Sequence, residues 1–422
     1  MAVNYLDWVD PIIIGQKIAE NYDDDFYILY SGLNSEVRNS KSFIGLFPNQ
    51  KKTFGNIKDV LGLDINNRSL ALFSYESFDN SPLINSKFSH INMPNIIIAD
   101  FALNIEFDHD KKHIIINYDN KALYKKFIAI INKELRTSFD EIIANEMLSN
   151  FTDKSYIDSI KDMKDNILQG NFYQANLTRK FYGNLDKEYE KSVIYHNFIK
   201  LCNISPANYS AFIVANNKII MSSSPELFLE IDGDKVTSRP IKGTINRHEC
   251  RDQDLVNKIY LQNSPKERAE NLMIVDLVRN DLSIACIPGS VKVDKLFNID
   301  TYKMLYHMSS QINGKIKNDL SYFDVIRASF PPGSMTGAPK IAAMQNIAQN
   351  ERLSRGIYSG SIGIIDKNSA KLSVVIRTLI FEGSKYEFQV GGAITNDSDP
   401  YKELQEIYHK ARAISEILNI EL

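Results

Sequence analysis

The chain has 422 residues, of which 44% are hydrophobic and 24% are charged, and its formal net charge at pH 7 is −3. This composition is typical of a folded protein with a large apolar core, and the slight acidity predicts no binding to nucleic acid or to an anionic membrane surface. The longest apolar runs, such as 96–98 and 114–116, are far shorter than a membrane span.

Apolar patterns in the first half of the chain predict four strands and then a helix. The strands are expected at 26–30, 70–75, 95–101 and 112–118. Tyr156, Ile157, Ile160, Met163 and Ile167 recur at helical spacing, which predicts a helix over 153–168. Thr152 or Asp153 would cap this helix and Gly170 would end it.

The second half of the chain mixes short strands with longer helices. Strands are expected at 211–214, 227–231 and 235–238, with Asp232 and Gly233 forming a hairpin turn. Helices are expected at 264–278, 339–350 and 399–418, and further strands at 360–365, 373–381 and 387–390. Neighbouring strands joined by hairpins favour an α+β fold, in which large antiparallel sheets pack together with the helices outside.

The segment 239–244 offers a candidate nucleophile. Pro240 fixes its own φ and Gly243 tolerates unusual backbone angles, so Lys242 is predicted to lie on a stiff turn. A partly desolvated lysine can act as an amine nucleophile, and Glu226 would supply a carboxylic acid from a neighbouring segment. Considered alone, the segment is more typical of a surface turn with a solvated lysine.

Two predicted helices each carry a pair of glutamates three residues apart. Glu267 and Glu270 form one pair, and Glu403 and Glu406 form the other. This spacing places each pair on one helix face, and four converging carboxylates would suit Mg²⁺. The alternative is two solvated acidic faces with neighbouring lysines or arginines.

Three further segments are candidates for ligand binding. The turn-rich segment 331–340 leads into a helix and can offer N–H groups to an anion, although its glycine spacing differs from that of a P-loop. Gly391 and Gly392 permit close approach of the backbone to a ligand, with a β-bulge as the alternative. Arg377 is predicted within an apolar strand, where a substrate carboxylate would be its partner unless that face is exposed.

Taken together and in order, these motifs resemble the chorismate-binding enzymes. The resemblance covers roughly residues 150–420 and matches the first 150 residues only loosely. It implies the component I-like fold of the anthranilate-forming members, with an N-terminal region (1–150) in the same globule as a catalytic region (151–422). The matching segments are 170–177, 222–226, 239–244, 268–281, 330–340, 355–363, 375–379, 389–394 and 403–411.

Two positions discriminate between branches of this family. Anthranilate-forming members typically have Ala where this chain has Lys242, whereas members that form 4-amino-4-deoxychorismate have Lys. Isochorismate- and salicylate-forming members have a water-activating Lys where this chain has Gln174. The resemblance therefore implies amination of chorismate at C4 through a Lys242 adduct, in para-aminobenzoate and folate biosynthesis. The alternatives are an anthranilate-forming enzyme of tryptophan biosynthesis and a non-catalytic paralogue that binds an amidotransferase.

The resemblance also implies roles for individual residues. Lys242 would be the nucleophile, Glu226 the acid that protonates the leaving hydroxyl, and His307 a catalytic residue near the ring. Mg²⁺ would be held by Glu267, Glu270, Glu403 and Glu406. Substrate binding would involve Thr244, Ser334, Tyr358, Arg377, Gly391, Gly392, Ala393 and Lys410.

The implied partners are chorismate, ammonia and a separate glutamine amidotransferase subunit. Cys202, Cys250 and Cys286 show neither metal or redox spacing nor the glycine-flanked turn of an amidotransferase nucleophile. Reduced thiols and the absence of a basic N-terminal segment predict a cytoplasmic protein. At 30–33 the chain departs from the Leu-Glu-Ser motif of feedback-regulated relatives, which makes inhibition by tryptophan doubtful.

Overall fold

The structure is a computed structural model that describes residues 2–31, 40–78, 91–302 and 305–422. Gly32 and Leu33, part of the segment compared with the feedback motif, lie outside these residues. In chain order the strands β1 to β20 span Ala2–Leu6, Phe26–Tyr30, Lys41–Phe54, Ser69–Phe73, Ile96–Asp108, His113–Tyr118, Leu148–Ser149, Gln174–Asn184, Tyr209–Ala215, Lys218–Ser224, Leu227–Asp232, Lys235–Arg239, Ile241–Asn246, Lys292–Thr301, Leu305–Lys315, Gly337–Ala338, Ser361–Asp366, Ser369–Val374, Thr378–Glu382 and Lys385–Ile394.

The helices lie between these strands. Helices α1 to α9 span Pro11–Asn21, Lys121–Ile131, Asp153–Leu168, Lys191–Ile204, Arg251–Asn263, Pro265–Ala285, Tyr322–Ser329, Lys340–Glu351 and Pro400–Ile417. Short 3₁₀ turns occur at Ile57–Val60, Tyr75–Ser77 and Gly333–Met335. No helix in the described ranges is both long and apolar enough to cross a bilayer.

The strands form two wings that are joined through β5. In the first wing, antiparallel pairing runs from β8 through β20, β19, β10, β9 and β2 to β3, which pairs with β5. In the second wing it runs from β5 through β4, β17, β18, β11 and β12 to β15. Strands β13 and β14 both pair with β15 at the far end of the second wing.

The buried apolar residues form layers around these wings. One cluster joins side chains of both wings, such as Ile213 and Ile380 from the first and Leu72 and Ile362 from the second. A second cluster packs helices including α1, α3, α4 and α9 against the first wing, and a third packs α6 and α7 against the second wing. The predicted arrangement, antiparallel sheet packed together with helices outside, is therefore confirmed.

Several local predictions are also confirmed. Helix α3 has the predicted bounds, and the Thr152 hydroxyl accepts a hydrogen bond from the Ser155 N–H at 3.2 Å as its cap. Gly170 follows the helix with φ of 80°. The turn after Asp232 connects β11 and β12, and Gly233 has φ of 58° as a hairpin turn requires.

The single strand predicted at 373–381 is wrong. The chain breaks there between β18 and β19, which belong to different wings, so the link 375–377 passes from one wing to the other. Arg377 lies in this link with φ of 51°, a left-handed conformation, and so is not a mid-strand residue. The apolar pattern gives no sign of this break, because Val374 and Val375 are both buried although they belong to different clusters.

The predicted turn at Lys242 is also wrong. Lys242 lies within strand β13, whose pairing with β15 shifts by one residue between Ile241 and Thr244. The shift is a β-bulge, and Gly243 accommodates it with φ of 87°. Pro240 separates β12 from β13 along the same partner strand, since proline cannot donate to the ladder.

Candidate active site

Glu226 occupies the link between β10 and β11 and is only 5% exposed. Its backbone is fixed because its carbonyl accepts from the Val374 N–H at 3.0 Å and its N–H donates to the Ser224 hydroxyl at 3.3 Å. Burial raises the pKa of Glu226 to about 7, although the Ser334 hydroxyl and the Lys242 charge act in the opposite direction. A carboxyl group with this pKa can hold a proton near neutral pH and donate it.

Lys242 is brought close to several carboxylates by the bulge in β13. Its charge lowers the pKa of Glu226 and also acts on Glu267 and Glu406. A Cβ atom at Gly243 would lie only 2.9 Å from the Glu267 Oε2, so the bulge packs closely against α6. The predicted neighbourhood of Lys242 and Glu226 is thus present, although it arises from a bulged strand and not from a turn.

His307 lies opposite Thr244 in the pairing of β13 with β15, and its Nδ1 is 2.7 Å from the Thr244 hydroxyl. Burial, followed by the nearby Arg377 charge, lowers the pKa of His307 to about 3. The imidazole is therefore neutral near pH 7. Its Nε2 is buried without a hydrogen-bond partner among the described residues, which leaves it available to a ligand.

Arg377 has the features of an anion-binding residue. Its guanidinium Nη1 donates to the Ser205 hydroxyl at 3.1 Å, and no carboxylate in the described ranges forms an ion pair with it. Burial lowers the pKa of Arg377 from its usual value. A partly buried guanidinium without a carboxylate partner is costly, and a bidentate substrate carboxylate would offset that cost.

The glycines of β20 lie beside the glutamates of α9. A Cβ atom at Gly392 would lie 3.2 Å from the Glu403 Oε2 and 3.9 Å from the Glu406 Oε1. Lys410 donates to the Gly391 carbonyl at 2.8 Å and forms a 2.6 Å ion pair with Glu406. This one lysine therefore connects the glycine segment to the acidic helix.

The four glutamates form two pairs that interact electrostatically. Burial, followed by Glu270, raises the pKa of Glu267, and burial also raises the pKa of Glu403. Burial raises the pKa of Glu406, but Lys410 together with Lys242 and Lys266 lowers it overall. Such mutual repulsion among carboxylates is relieved by a cation.

Lysines already occupy part of this acidic region. Lys266 lies 3.8 Å from Glu270 and Lys410 lies 2.6 Å from Glu406. Within the described ranges, no three His, Cys, Asp or Glu side chains lie close enough together to hold a metal ion. The oxygen donor set is of the kind that Mg²⁺ prefers, with water or substrate oxygens as its remaining ligands.

Of the remaining predicted residues, Ser334 shares a pocket with Glu226. Ser334, in the 3₁₀ turn before β16, lines a small pocket together with Glu226 and Asp281. Tyr358 is buried in the link between α8 and β17, and Ala393 lies opposite Asn176 in the pairing of β20 with β8. Gln174, at the start of β8, is fully buried, and neither atom of its amide has a hydrogen-bond partner among the described residues.

Sequence reasoning missed the buried charges that hold these segments. Lys340 was considered only as part of a helix entry, but its ammonium donates to Asp281 at 2.8 Å and to the carbonyls of Ser329 and Pro331 at 3.0 Å each. Burial raises the pKa of Asp281 to about 6 against the opposing effect of Lys340. Asp281 lies 59 residues before Lys340 in the sequence, so no local signal could have linked the two.

Comparison with known proteins places this geometry in a family. The sequence profile of the family described as chorismate binding enzyme matches residues 34–416. Aminodeoxychorismate synthase component 1 of Escherichia coli (strain K12) is 31% identical over 350 residues, which cover 82% of this chain and 76% of that protein. Anthranilate synthase component 1 of Aquifex aeolicus (strain VF5) is 32% identical over 336 residues, covering 77% of this chain and 64% of that protein.

A longer plant relative matches only in part. The probable chloroplastic aminodeoxychorismate synthase of Oryza sativa subsp. japonica is 39% identical over 267 residues, which cover 62% of this chain and 29% of the rice protein. This chain therefore corresponds to less than a third of that protein's length.

Solved structures share the fold at lower sequence identity. Anthranilate synthase component I from Streptococcus pneumoniae TIGR4 superposes with a TM-score of 0.77 at 22% identity, covering 90% of this chain and 93% of that one. MenF, the menaquinone-specific isochorismate synthase from Escherichia coli, gives a TM-score of 0.77 at 15% identity, covering 99% and 95%. The fold is thus common to relatives named for different reactions, and the chain belongs to the chorismate-binding enzyme family.

Proposed function

We propose that the chain acts as an aminodeoxychorismate synthase component 1, which converts chorismate and ammonia into 4-amino-4-deoxychorismate for para-aminobenzoate and folate synthesis. The observation that carries this proposal is the position of Lys242 beside Glu226, whose pKa is raised to about 7 by burial. This arrangement places an amine next to a carboxyl group that is suited to donate a proton.

In the first step, the Lys242 amine in its neutral form adds at C2 of the chorismate ring. Both conjugated ring double bonds shift, from C1=C2 and C5=C6 to C1=C6 and C4=C5, the C4–O bond breaks, and the Glu226 proton goes to the departing oxygen, which leaves as water. Hydroxide is a poor leaving group, so this proton transfer is required. The step leaves a cationic Lys242 adduct and an ionised Glu226.

In the second step, ammonia adds at C4 and both ring double bonds shift back to C1=C2 and C5=C6. The C2–N bond breaks and Lys242 leaves as a neutral amine. The new ammonium group at C4 returns a proton to Glu226, so that chorismate and ammonia become aminodeoxychorismate and water with the enzyme unchanged. Two displacements transmitted through the conjugated diene thereby replace one difficult substitution.

Other residues would bind the substrate and exclude competing chemistry. Arg377 and the Gly391–Gly392 backbone would hold the enolpyruvyl carboxylate, and the neutral His307 would offer its free Nε2 to the ring substituents. Gln174 is a buried amide that cannot act as a base, which supports ammonia over water as the external nucleophile.

Mg²⁺ bound by the glutamates of α6 and α9 would neutralise the ring carboxylate of chorismate and help to position it. Glu267 and Glu270 would hold it from one helix, and Glu403 and Glu406 from the other, and these side chains would have to move together to do so, since no three of them lie close enough to hold an ion in the described ranges. Lys266 and Lys410, which pair with Glu270 and Glu406 in this structure, would have to give up those contacts at least in part.

We further propose that ammonia comes from a separate glutamine amidotransferase subunit. Cys202 and Cys286 are buried, and burial raises the pKa of both thiols, so neither is a suitable glutaminase nucleophile. Cys250 is exposed, and the backbone N–H groups of Gln253 and Asp252 lower its pKa, but it lacks the glycine-flanked turn of an amidotransferase nucleophile. The 32% identity to an anthranilate synthase component 1 keeps anthranilate formation as the second candidate function.

The test of the proposed chemistry is Lys242→Ala, assayed with chorismate, ammonium and Mg²⁺. Lys242 is only half-buried, so we expect unchanged circular dichroism and a loss of stability below about 1 kcal/mol. Aminodeoxychorismate formation should fall by orders of magnitude, with traces of anthranilate from direct attack at C2. A folded Lys242→Ala protein that forms aminodeoxychorismate at the parental rate would exclude Lys242 as the nucleophile.

A further inference from the structure

A buried ion pair joins the end of helix α8 to the link that follows it. Glu351 and Arg355 are each 2% exposed. The Arg355 Nε donates to the Glu351 Oε2 at 2.9 Å and its Nη2 donates to the Oε1 at 2.6 Å, which makes a bidentate pair.

The remaining N–H groups of Arg355 bind three other segments of the chain. Nη1 donates to the Met335 carbonyl at 2.8 Å and to the Ser359 hydroxyl at 3.2 Å, and Nη2 donates to the Asn176 carbonyl at 2.6 Å. Together with the two bonds to Glu351, all five guanidinium N–H groups therefore have acceptors. This set of bonds fixes the position of each segment relative to α8.

Each acceptor is next to a candidate substrate residue. Met335 follows Ser334, which lines the pocket of Glu226, and Ser359 follows Tyr358. Asn176 pairs with Ala393 in the ladder between β8 and β20. A shift of Arg355 would therefore displace three segments that carry proposed substrate residues.

Glu351 extends the same contact to the glycine segment. Its Oε1 accepts from the Thr178 N–H at 2.8 Å and from the Thr178 hydroxyl at 2.9 Å. Thr178 lies opposite Gly391, and its Cγ2 is so near that a Cβ atom at Gly391 would lie 2.7 Å from it. The position of Thr178 thus determines where the Gly391 backbone lies.

A buried ion pair is weak evidence of a stabilising role, since well-packed apolar residues often serve as well. The fixed fork of an arginine instead imposes geometry, and lysine cannot reproduce it. We infer that Arg355 and Glu351 form a positioning unit that holds the segments carrying Ser334, Tyr358, Ala393 and Gly391 in register around the substrate. This inference relies on the proposed function for the identity of the substrate, chorismate.

The test measures KM for chorismate and kcat with ammonium and Mg²⁺ in Arg355→Lys and Glu351→Gln. Misplacement of substrate contacts by a distant change can cost about 100-fold in rate, so we expect kcat/KM to fall roughly 10- to 100-fold with a raised KM. The matched control is Glu387→Gln, because the Lys180–Glu387 pair is equally buried, with side chains 3% and 4% exposed. The control should lower the unfolding midpoint and leave the KM for chorismate unchanged.

Two milder variants keep the inference testable if the charge changes prevent folding. Ser359→Ala and Thr178→Val each remove a single hydroxyl from the network and should still raise the KM severalfold. Parental KM in the folded variants, or an equal rise in Glu387→Gln, would overturn the positioning role. The identity of the product formed by the parental enzyme tests the proposed function separately, since the comparison of KM values holds whichever product chorismate gives.

Discussion

Burial of Glu226 links the stability of the protein to its proposed chemistry. The pKa of Glu226 is raised from 4.5 to about 7 by burial, so the folded protein binds more protons than the unfolded chain between these values. The contribution of Glu226 to stability is therefore fully present below pH 4.5 and is lost as the pH rises through about 7. The burial that keeps Glu226 protonated for its proposed role thus lowers the free energy of unfolding at alkaline pH.

Glu226→Gln should separate these two effects. At pH 8 we expect its free energy of unfolding to exceed that of the parent by up to about 3 kcal/mol, and the difference should vanish towards pH 4. Turnover should fall by roughly 10²- to 10⁴-fold because the proton donor is lost. Urea unfolding at several pH values and steady-state kinetics measure both. A variant less stable than its parent at pH 8 would contradict the assigned environment.

At the scale of single elements, the bulge in β13 determines where Lys242 lies. Gly243 has φ of 87°, and a Cβ atom there would lie 2.9 Å from the Glu267 Oε2 and 3.1 Å from the Leu261 Cδ1. Gly243→Ala should therefore lower both stability and activity, since it adds backbone strain of about 1–2 kcal/mol and displaces Glu267.

Gly289→Ala is the matched control for this prediction. Gly289 has φ of 78°, but no atom lies within 4 Å of the position its Cβ would take. The control should lose similar stability in urea unfolding and keep the parental kcat/KM. Equal kcat/KM in the two variants would show that activity does not depend on the close packing of the bulge against α6.

The acidic faces of α6 and α9 give a second prediction at this scale. Glu270→Ala and Glu406→Ala should each reduce turnover by orders of magnitude and raise the Mg²⁺ concentration needed for half-maximal activity, because a proposed ligand is lost. Glu416→Ala, on the exposed face of α9, is the control and should titrate with Mg²⁺ as the parent does. Undiminished turnover in excess chelator would eliminate the metal-site proposal.

At the scale of the whole molecule, the local pattern predicted the elements better than their junctions. Helix α3 followed from apolar spacing and its caps, and the α+β class followed from hairpin-linked strands. The break at 375–377 depends on β18 and β19 belonging to different wings, which periodicity does not encode. The bulge at Lys242 depends likewise on its partner strand β15.

The sequence indicated which residue types could carry the chemistry of the site, but it did not indicate the environment of each side chain. Lys242 and Glu226 stood out in their segments, whereas the burial of Glu226 comes from distant elements. Arg355 and Glu351 lie four residues apart, a spacing typical of a surface pair. Only the fold shows that their other partners are Asn176, Thr178 and Met335.

Identification of the product from chorismate, ammonium and Mg²⁺ tests the central claim most directly. The purified chain should form 4-amino-4-deoxychorismate, recognised by its mass and by an absorption spectrum that lacks an aromatic ring. Glutamine in place of ammonium should support the reaction only after an amidotransferase subunit is added. Anthranilate or isochorismate as the main product would contradict the account, as would glutamine-dependent turnover by the chain alone.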